Sequence, residues 1–564
     1  MRGSKAGSKR RWSPATADQQ KGQADVMSSW LPGASGPQSA ATGPESAPSK
    51  SRWRRWRSLT VPLTLLLVLR LPSLFEPHWY TDEAGYANVA WQMMHGKVLF
   101  LTTWNNKPPL LFWIYQLGLL ISGPTEFGIH LLSTLTEAAA LVGTWVLARN
   151  YLSPRRVWIA MLIAAFFLAT PVFNGDLALP ENLLIGFTVW GMVAVVAAMR
   201  AAGAWRATLL AAAAGVLFAA AILIQQSALA DLAAAFLVLL LVSRRGWLQA
   251  ATAAASAAVV VAAVITPFVV AAGLHNVVFF LITSYSGYTS NQLPLTFWSL
   301  LPRVVAGVLI LVGAYSARKW PAERLLVWVW LACVLLFYVI PNRDYMHFLL
   351  PAVPAAALLI SGFRLPNWRA WRSRVGLAGA PLLAAVLLAT GLWAGLLGAD
   401  LVAGSLFTVK LTGEYYPAFV GELTGALTPA QYVSVYDQRA VAEYQAVRWI
   451  KQNNLTGSTA VVWSADSWAY LLGNLQPILP EPTIYMNDAL LGSTELLHRV
   501  QVEQPVVVIL TSDAYTAYGP IVPLLERTYT EVQESANGQL WIRSNVASKV
   551  LAGRSLLTGP KQGA

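Results

Sequence analysis

The sequence contains a single cysteine, Cys333, in a chain of 564 residues, so no disulfide can form within one copy. Charged residues are also scarce, at 12% of the chain, whereas hydrophobic residues account for 56%. This composition is too apolar for a soluble protein and is typical of a protein with many membrane helices. The 24 tryptophans agree with that class, because tryptophan is enriched where membrane helices meet water.

Several chemical signatures are missing as well. No two aspartates have the spacing Asp-x-Asp, which argues against sugar transfer from a metal-bound nucleotide. There is no glycine loop of the Walker type, so nothing in the sequence suggests ATP use. The six histidines are scattered and show no strong metal-ligand spacing.

Long apolar runs dominate the chain up to about residue 400. They lie near residues 59–75, 108–122, 129–148, 157–174, 183–199, 207–224, 228–243, 248–272, 297–317, 323–340, 346–363 and 375–398. If every run crossed the membrane, most arginine-rich loops would face outward, against the positive-inside rule. The 108–122 run is short and begins with two prolines, so we expect it to lie in the outer interface as a juxtamembrane helix. About eleven spans then remain.

With that run removed from the count, the charges of the loops agree with the positive-inside rule. The arginine- and lysine-rich loops are then cytoplasmic, namely 149–156, 200–206, 244–245, 318–324 and 364–374. The main external loops are 76–128, 175–182, 273–296 and 341–347. These loops come from distant parts of the chain and share one side, as an active site on a helical scaffold requires.

The chain begins with a segment unlike the rest. Residues 1–58 are basic, rich in Ser, Gly, Ala and Pro, and without a periodic apolar pattern. We therefore expect a disordered tail, held in the cytoplasm by its positive charge. Residues 59–399 form the predicted transmembrane domain.

The last part of the chain, residues 400–564, loses the long apolar runs. A helical stripe covers 439–452, and the apolar stretches 460–463 and 506–510 are typical of buried strands. We therefore predict a mostly α, polytopic membrane protein with a small external α/β domain at its C-terminal end.

Ionisable residues gather in the predicted external loops. Asp82 and Glu83 are adjacent, about ten residues beyond the first apolar run, and Lys107 follows in the same loop. Glu181 lies in the second external loop, and His347 lies in the last. Ionisable groups kept beside a bilayer are costly and usually functional, so these residues mark a candidate site.

Three parts of the chain carry a family resemblance. They are Asp82–Ala87 with Met93–Lys97 and Asn106–Trp113; Leu179–Asn182; and Arg343–Phe348, continuing through Pro351 and Pro354. Together they resemble the GT-C glycosyltransferases, and most closely the protein O-mannosyltransferase and lipid A aminoarabinose transferase superfamily (glycosyltransferase family 39 and its bacterial relatives). The resemblance covers roughly residues 60–360, and its first motif is the most specific.

The resemblance implies a GT-C type helical bundle and a reaction. Such enzymes take a sugar from a polyprenyl-phosphate carrier and move it to an acceptor on the far side of the membrane. By the resemblance, Asp82 is the general base for the acceptor hydroxyl, and Glu83 and Glu181 are further catalytic carboxylates. Adjacent acids can share a titration, so the choice between Asp82 and Glu83 stays open.

The leaving group implied by the resemblance is a lipid phosphate, whose charge must be met by cations or oriented donors. The predicted substrate-binding residues are Lys107, Arg343, His347, Arg70, Arg303 and Tyr86. The alternatives are structural. Lys107, Arg70 and Arg303 are then snorkelling anchors, Glu181 is a helix N-terminal charge, and His347 is a satisfied buried histidine.

The predicted partners are the membrane, a polyprenyl-phosphate sugar and an acceptor in the cell envelope, whether lipid, glycan or protein. No nucleic acid and no cofactor are expected, although a divalent cation held by Asp82 and Glu181 stays open. The alternative function is a transporter or flippase of lipid-linked glycans. That function would place ionisable groups near mid-membrane between related halves, whereas here the charges cluster at one face and no half-repeat is visible.

Overall fold

The structure is a computed structural model that describes residues 50–242, 246–284, 321–339, 346–362, 413–511 and 521–557. Nearly all of these residues belong to one compact unit, Arg54–Ala564. Two predicted site residues, Arg303 and Arg343, lie outside the described residues, as do residues 1–49 of the predicted tail.

The described chain is helical up to residue 362. Its helices are α1 (Lys50–Arg70), α2 (Thr81–Met94), α3 (Pro109–Ser122), α4 (Glu126–Arg149), α5 (Pro154–Ala169), α6 (Pro180–Arg200), α7 (Ala204–Ile222), α8 (Leu229–Val242), α9 (Gly246–Ala272), α10 (Leu274–Val278), α11 (Ala322–Val339) and α12 (Val353–Gly362). Short 3₁₀ segments lie at Pro72–Phe75, Pro171–Phe173, Gln226–Ala228 and Met346–Ala352, and a π-helical turn lies at Phe279–Thr283. Helices α3, α5 and α6 each begin with proline. The N–H of the first helical residue has no acceptor within the helix, so proline is tolerated there.

Within the described ranges, five helical segments are long and apolar enough to cross a membrane. They are Trp56–Phe75, Glu126–Arg149, Pro180–Arg200, Ala204–Ile222 and Gly246–Ala272. The last is the most exposed, since only 11% of its apolar window is buried against protein. The predicted runs 297–317 and 375–398 lie outside the described residues, and several others form shorter apolar helices. The count of about eleven spans therefore stays a prediction.

The predicted loop 76–128 is largely helical, since it contains α2 and α3. α3 has 14 residues and ends at Gly123, whose φ of +67° is readily adopted by glycine. At a rise of about 1.5 Å per residue the helix is about 21 Å long, which is less than the thickness of a bilayer core. This length agrees with an interfacial helix, and the position of α3 relative to the membrane stays a prediction.

After residue 458 a five-stranded sheet appears. Its strands are β1 (Thr459–Trp463), β2 (Gln476–Pro477), β3 (Val507–Thr511), β4 (Tyr529–Ser535) and β5 (Gly538–Arg543), in the order β2-β1-β3-β5-β4. β1 runs parallel to β2 and β3, while β5 is antiparallel to β3 and β4. The helices of this region are α13 (Pro429–Tyr436), α14 (Gln438–Gln452), α15 (Trp468–Leu472), α16 (Ile484–Leu491), α17 (Ser493–Glu503), α18 (Val522–Thr528) and α19 (Ser544–Leu557).

The local predictions for this region are confirmed. The stripe at 439–452 is α14, and the two apolar stretches are β1 and β3. Successive residues of β1 enter different cores, with Val462 on one side of the sheet and Val461 on the other. Burial on both faces explains why these strands are continuously apolar rather than alternating.

The hydrophobic core is divided between the helical bundle and the C-terminal region. The bundle core centres on large side chains such as Trp145, Met192 and Trp330. A second core joins Tyr86 of α2 and Tyr115 of α3 to Tyr415, Tyr436 and Trp468 from beyond residue 412. The C-terminal region is therefore packed directly against α2, the helix that begins with the Asp82-Glu83 pair.

Candidate active site

A cavity of about 530 Å³ lies beside the first turn of α2. Its walls are drawn from residues 81–86, 105–107, 180–184, 225–231, 281–282, 334–337, 347–351 and 481–486. Five predicted site residues line it, namely Asp82, Tyr86, Lys107, Glu181 and His347. The structure thus brings together side chains from four distant stretches of sequence.

Asp82 faces the cavity because of its place on α2. Asp82, Gly85 and Tyr86 are spaced i, i+3 and i+4, so they share one face of the helix. Burial raises the pKa of the Asp82 carboxyl, while His347 and Lys107 act in the opposite direction and Glu181 adds to the rise. The Asp82 carboxyl therefore lies within electrostatic reach of the basic side chains His347 and Lys107.

Lys107 sits in a turn that is fixed by hydrogen bonds. The Lys107 N–H donates to Asn105 Oδ1 at 3.1 Å, and the next residue, Pro108, has the extended backbone that favours a helix start at Pro109. Gln226 Nε2 donates to the Asn106 carbonyl at 2.9 Å and to the Leu281 carbonyl at 3.1 Å. The turn is therefore tied to two other walls of the cavity, and Lys107 acts electrostatically on both Asp82 and Glu181.

Glu181 and His347 are two further polar residues of the cavity lining. Glu181 lies in the first turn of α6, where the helix dipole favours an acid, and its side chain is hydrogen-bonded to Gln225. His347 is buried, with its ring edge-on to Phe348 at a centroid distance of 4.7 Å. Both side chains line the same cavity as Asp82.

Glu83 points away from Asp82. Its carboxylate is fully buried, accepts the Ala178 N–H, and lies 3.3 Å from His130 Nε2 on α4. It does not line the cavity. Adjacent residues of a helix diverge by about 100°, so Asp82 lines the cavity and Glu83 does not, and a catalytic role for Glu83 stays a prediction.

Arg70 is also placed differently from its prediction. The side chain is fully buried, with Nε 3.2 Å from Glu137 Oε2 and 3.1 Å from Thr134 Oγ1. Its Nη atoms donate to backbone carbonyls, among them that of His130 at 3.3 Å. These donors are turned to protein acceptors and the residue does not line the cavity, so phosphate binding by Arg70 stays a prediction.

Two acids that the sequence did not mark also line the cavity. Asp231 on α8 accepts a hydrogen bond from Trp330 Nε1 at 2.6 Å. Glu481 comes from the C-terminal region, where it is buried and accepts from Thr483 Oγ1 at 3.1 Å. Burial raises the pKa of Glu481 to about 8. The only local signal for Glu481 is a carboxylate between two prolines, which says nothing about where it points.

The C-terminal region is held at the cavity by backbone contacts. The Trp104 N–H donates to the Pro480 carbonyl at 2.9 Å, and Asn88 Nδ2 on α2 donates to the Ser467 carbonyl at 2.7 Å. The methyl group of Thr483 lies 3.7 Å from where a side chain on Gly85 would begin. The region after residue 412 is thus part of the site and closes one side of it.

Many further residues of the cavity lining are apolar. The apolar lining consists of Leu184, Leu229, Ala230, Leu281, Ile282, Val334, Phe337, Phe348, Pro351 and Met486. Most of these residues belong to helices, and they line the same cavity as the charged residues Asp82 and Lys107. The cavity therefore suits a molecule with a polar head and a hydrocarbon chain.

Comparison with known proteins gives partial sequence matches. The family model for dolichyl-phosphate-mannose-protein mannosyltransferase matches residues 106–271, a range that includes Lys107 and Glu181. The undecaprenyl phosphate-α-4-amino-4-deoxy-L-arabinose arabinosyl transferase of Pseudomonas savastanoi pv. phaseolicola is 28% identical over 138 residues, which is 23% of this chain and 25% of the relative. The protein of the same name from Pseudomonas aeruginosa is 29% identical over 168 residues, or 28% and 30% of the two chains. These matches thus span about a quarter to a third of either relative.

Solved structures match over nearly the whole chain. The crystal structure of ArnT from Cupriavidus metallidurans bound to undecaprenyl phosphate has a TM-score of 0.54 and 18% identity, covering 87% of this chain and 98% of that one. Its apo state has the same TM-score and identity, with coverages of 91% and 99%. This likeness shows the fold. The chain has the GT-C fold and is a multi-pass membrane protein, and the resemblance identified in the sequence is confirmed.

Proposed function

We propose that this protein is a membrane glycosyltransferase that moves a sugar from a polyprenyl-phosphate carrier to an acceptor hydroxyl. The observation that carries the proposal is one cavity whose lining combines Asp82, Lys107, Glu181 and His347 with a large set of apolar side chains. A lipid-linked sugar phosphate has the same two parts. The names of the matched relatives, which refer to undecaprenyl phosphate and dolichyl phosphate, support the same class of donor.

In the proposed reaction the acceptor oxygen attacks the anomeric carbon of the donor. Asp82 takes the proton from the acceptor hydroxyl as the new glycosidic bond forms. The bond between the anomeric carbon and the phosphate oxygen breaks, and its electron pair stays on the lipid phosphate. Positive charge at Lys107 stabilises that phosphate as it leaves.

The other polar residues of the cavity support these two roles. Glu181 lies within electrostatic reach of Lys107, so it orients the ammonium group or the acceptor. Glu481 and His347 offer hydrogen-bonding groups to sugar hydroxyls from two further sides of the cavity. Arg343 and Arg303 lie outside the described residues and stay predicted phosphate contacts.

We also propose an orientation. Arg155 and Arg156 at the start of α5 lie on the cytoplasmic side, following the positive-inside rule. α4 is long enough to cross the bilayer, so its other end, at Glu126, lies outside. The N-terminus is then cytoplasmic, about eleven spans are present, and the sheet-containing region is external. The acceptor is a lipid, a glycan or a protein of the cell envelope.

The deciding experiment uses purified full-length protein in detergent with labelled polyprenyl-phosphate sugars and a panel of envelope acceptors. We expect Asp82→Asn to lower transfer at least about 100-fold, which is the lower range for loss of a general base. The matched control is Asp488→Asn, an exposed aspartate outside the cavity lining, which should keep full activity.

Full transfer by a monodisperse Asp82→Asn protein would remove Asp82 as the base. Movement of intact donor across a vesicle membrane, without sugar transfer to any acceptor, would instead establish the transporter alternative.

A further inference from the structure

A second cluster of polar side chains lies next to the cavity but does not line it. Glu83 in the first turn of α2 meets Glu126 and His130, both in the first two turns of α4. One ligand-type atom from each residue lies within 4.8 Å of the other two, and all three side chains are buried. The proposed transfer reaction makes no use of this cluster.

The distances within the cluster are long for hydrogen-bonded ion pairs. His130 Nε2 lies 3.3 Å from Glu83 Oε1 and 3.3 Å from Glu126 Oε2. Charge-assisted hydrogen bonds are normally about 2.7–2.9 Å long. Ligand atoms about 2.0–2.1 Å from one tetrahedral zinc ion are about 3.3–3.4 Å from each other. Both distances from His130 to a carboxylate thus equal the spacing between two ligands of one tetrahedral zinc ion.

Glu126 provides an independent observation. Its side chain is 2% exposed, and neither carboxylate oxygen has a hydrogen-bond partner among the described residues. One of these oxygens is turned to His130 Nε2. A buried carboxylate without hydrogen bonds is strongly disfavoured, so it calls for a positive ligand.

The net charge of the cluster also indicates that it binds a positive ligand. Two carboxylates and one imidazole carry a net negative charge even when the imidazole is protonated. The nearest arginine, Arg70, is already paired with Glu137 at 3.2 Å. A divalent cation bound by two carboxylates and a neutral imidazole gives an electrically neutral buried site.

We propose that Glu83, Glu126 and His130 form a structural site for a divalent cation, with Zn²⁺ as the preferred metal. Carboxylate and imidazole are established zinc ligands, and the ligand spacing fits its short bonds. The Ala178 N–H donates to Glu83 and orients its carboxylate, as outer-shell groups do at metal sites. This site is distinct from a cation held by Asp82 and Glu181.

The proposed cation joins α2 to α4 and, through Ala178, to the segment that leads into α6. It thereby fixes the first turn of α2, which carries Asp82, relative to the first turn of α6, which carries Glu181. Glu83, Glu126 and His130 are positioning residues in this arrangement, because none of them lines the cavity.

The test measures metal without any sugar substrate, so its failure leaves the transfer reaction untouched. Full-length protein is purified in detergent without chelators, and bound metals are measured by inductively coupled plasma mass spectrometry. A chelator-stripped sample is then titrated with ZnCl₂ while its melting temperature is followed. We expect about one zinc per chain and a rise in melting temperature on adding zinc, in line with binding to the folded state alone.

Glu126→Gln keeps the shape of the side chain and should lower bound zinc at least tenfold, with no zinc-dependent shift in melting temperature. Glu443→Gln is the matched control, since Glu443 is an equally buried acid outside the cluster and should leave zinc unchanged. Asp82→Asn should also retain zinc.

Absence of zinc from the wild type, with no thermal response to ZnCl₂, would overturn the site and leave a protonated His130 between two carboxylates. Loss of zinc in Asp82→Asn but not in Glu126→Gln would move the cation to the catalytic pair and equally overturn the proposal. If Glu126→Gln fails to fold, X-ray absorption spectroscopy of the zinc in the wild-type protein identifies its ligands instead. One imidazole with oxygen ligands supports the site, and a shell without imidazole refutes it.

Discussion

Asp82 and Glu83 are neighbours in sequence, but their carboxylates lie on different sides of α2. Asp82 lines the cavity with Lys107, whereas Glu83 is buried 3.3 Å from His130 and hydrogen-bonded to the Ala178 N–H. The two acids therefore have different surroundings, one beside a cavity and the other among protein groups.

Lys107 should contribute to donor recognition rather than to stability. We expect Lys107→Met to lower kcat/KM for the polyprenyl-phosphate sugar about 10- to 100-fold, because a hydrogen bond to a charged group contributes about 1.5–3 kcal/mol. Initial rates over a range of donor concentrations check this. Lys97→Met is the matched control, since Lys97 is exposed in the same loop and does not line the cavity. Equal losses in both variants would contradict the assignment.

Glu481 should make the fold less stable as the pH rises. Its pKa is about 8 in the folded protein against an ordinary value of 4.5, so the folded state holds a proton that the unfolded state has lost. Its contribution to stability is therefore complete below about pH 4.5 and declines through pH 8, by up to about 1.4 kcal/mol per pH unit.

Glu481→Gln stays neutral, so its melting temperature relative to wild type should rise between pH 5 and pH 9. Thermal unfolding in detergent at several pH values measures the difference. Glu503→Gln, which changes an exposed acid at the end of α17, is the matched control. If the melting temperature of Glu481→Gln relative to wild type falls as the pH rises, the raised pKa of Glu481 is refuted.

Arg70 and Glu137 should show strong thermodynamic coupling. Each side chain is fully buried, so removing one partner leaves the other charged and uncompensated at a cost of about 3–5 kcal/mol. We expect Arg70→Met and Glu137→Gln each to lower the melting temperature sharply, and the double variant to be more stable than the sum of the two losses predicts. Additive losses would argue against a paired interaction.

The orientation can be tested at the two ends of the α4–α5 pair. In a Cys333→Ala background, Thr125→Cys and Ser153→Cys place single thiols at exposed positions on either side of α4. An impermeant thiol reagent added to intact cells should label Thr125→Cys and leave Ser153→Cys unlabelled until the cells are opened. The reverse pattern would invert the topology and place the cavity on the cytoplasmic side.

Local patterns in the sequence correctly indicated several elements. The stripe of α14 and the apolar strands β1 and β3 are formed by residues close in sequence, so periodicity alone was sufficient. Asp82, Lys107 and Glu181 are predicted site residues because the family resemblance marks them individually. All three line the cavity.

Two contacts in the structure could not be predicted from the sequence. Arg70 was assigned to lipid phosphate from its depth in an apolar run, but its partner Glu137 is 67 positions later and no local pattern joins them. Glu481 was missed because it reaches Asp82 only through the packing of the C-terminal region against α2. Contacts between residues so far apart produce no periodic pattern in the sequence.

The amino-acid sequence thus determined the class of protein, since the balance of apolar and charged residues requires a membrane, and it singled out the acids and the lysine at one face. Tertiary structure alone decided which carboxylate of the Asp-Glu pair meets the cavity, and it brought Glu481 there and turned Arg70 inward. The reason is geometric, because the direction of a side chain depends on helix rotation and on partners hundreds of residues away, and composition records neither.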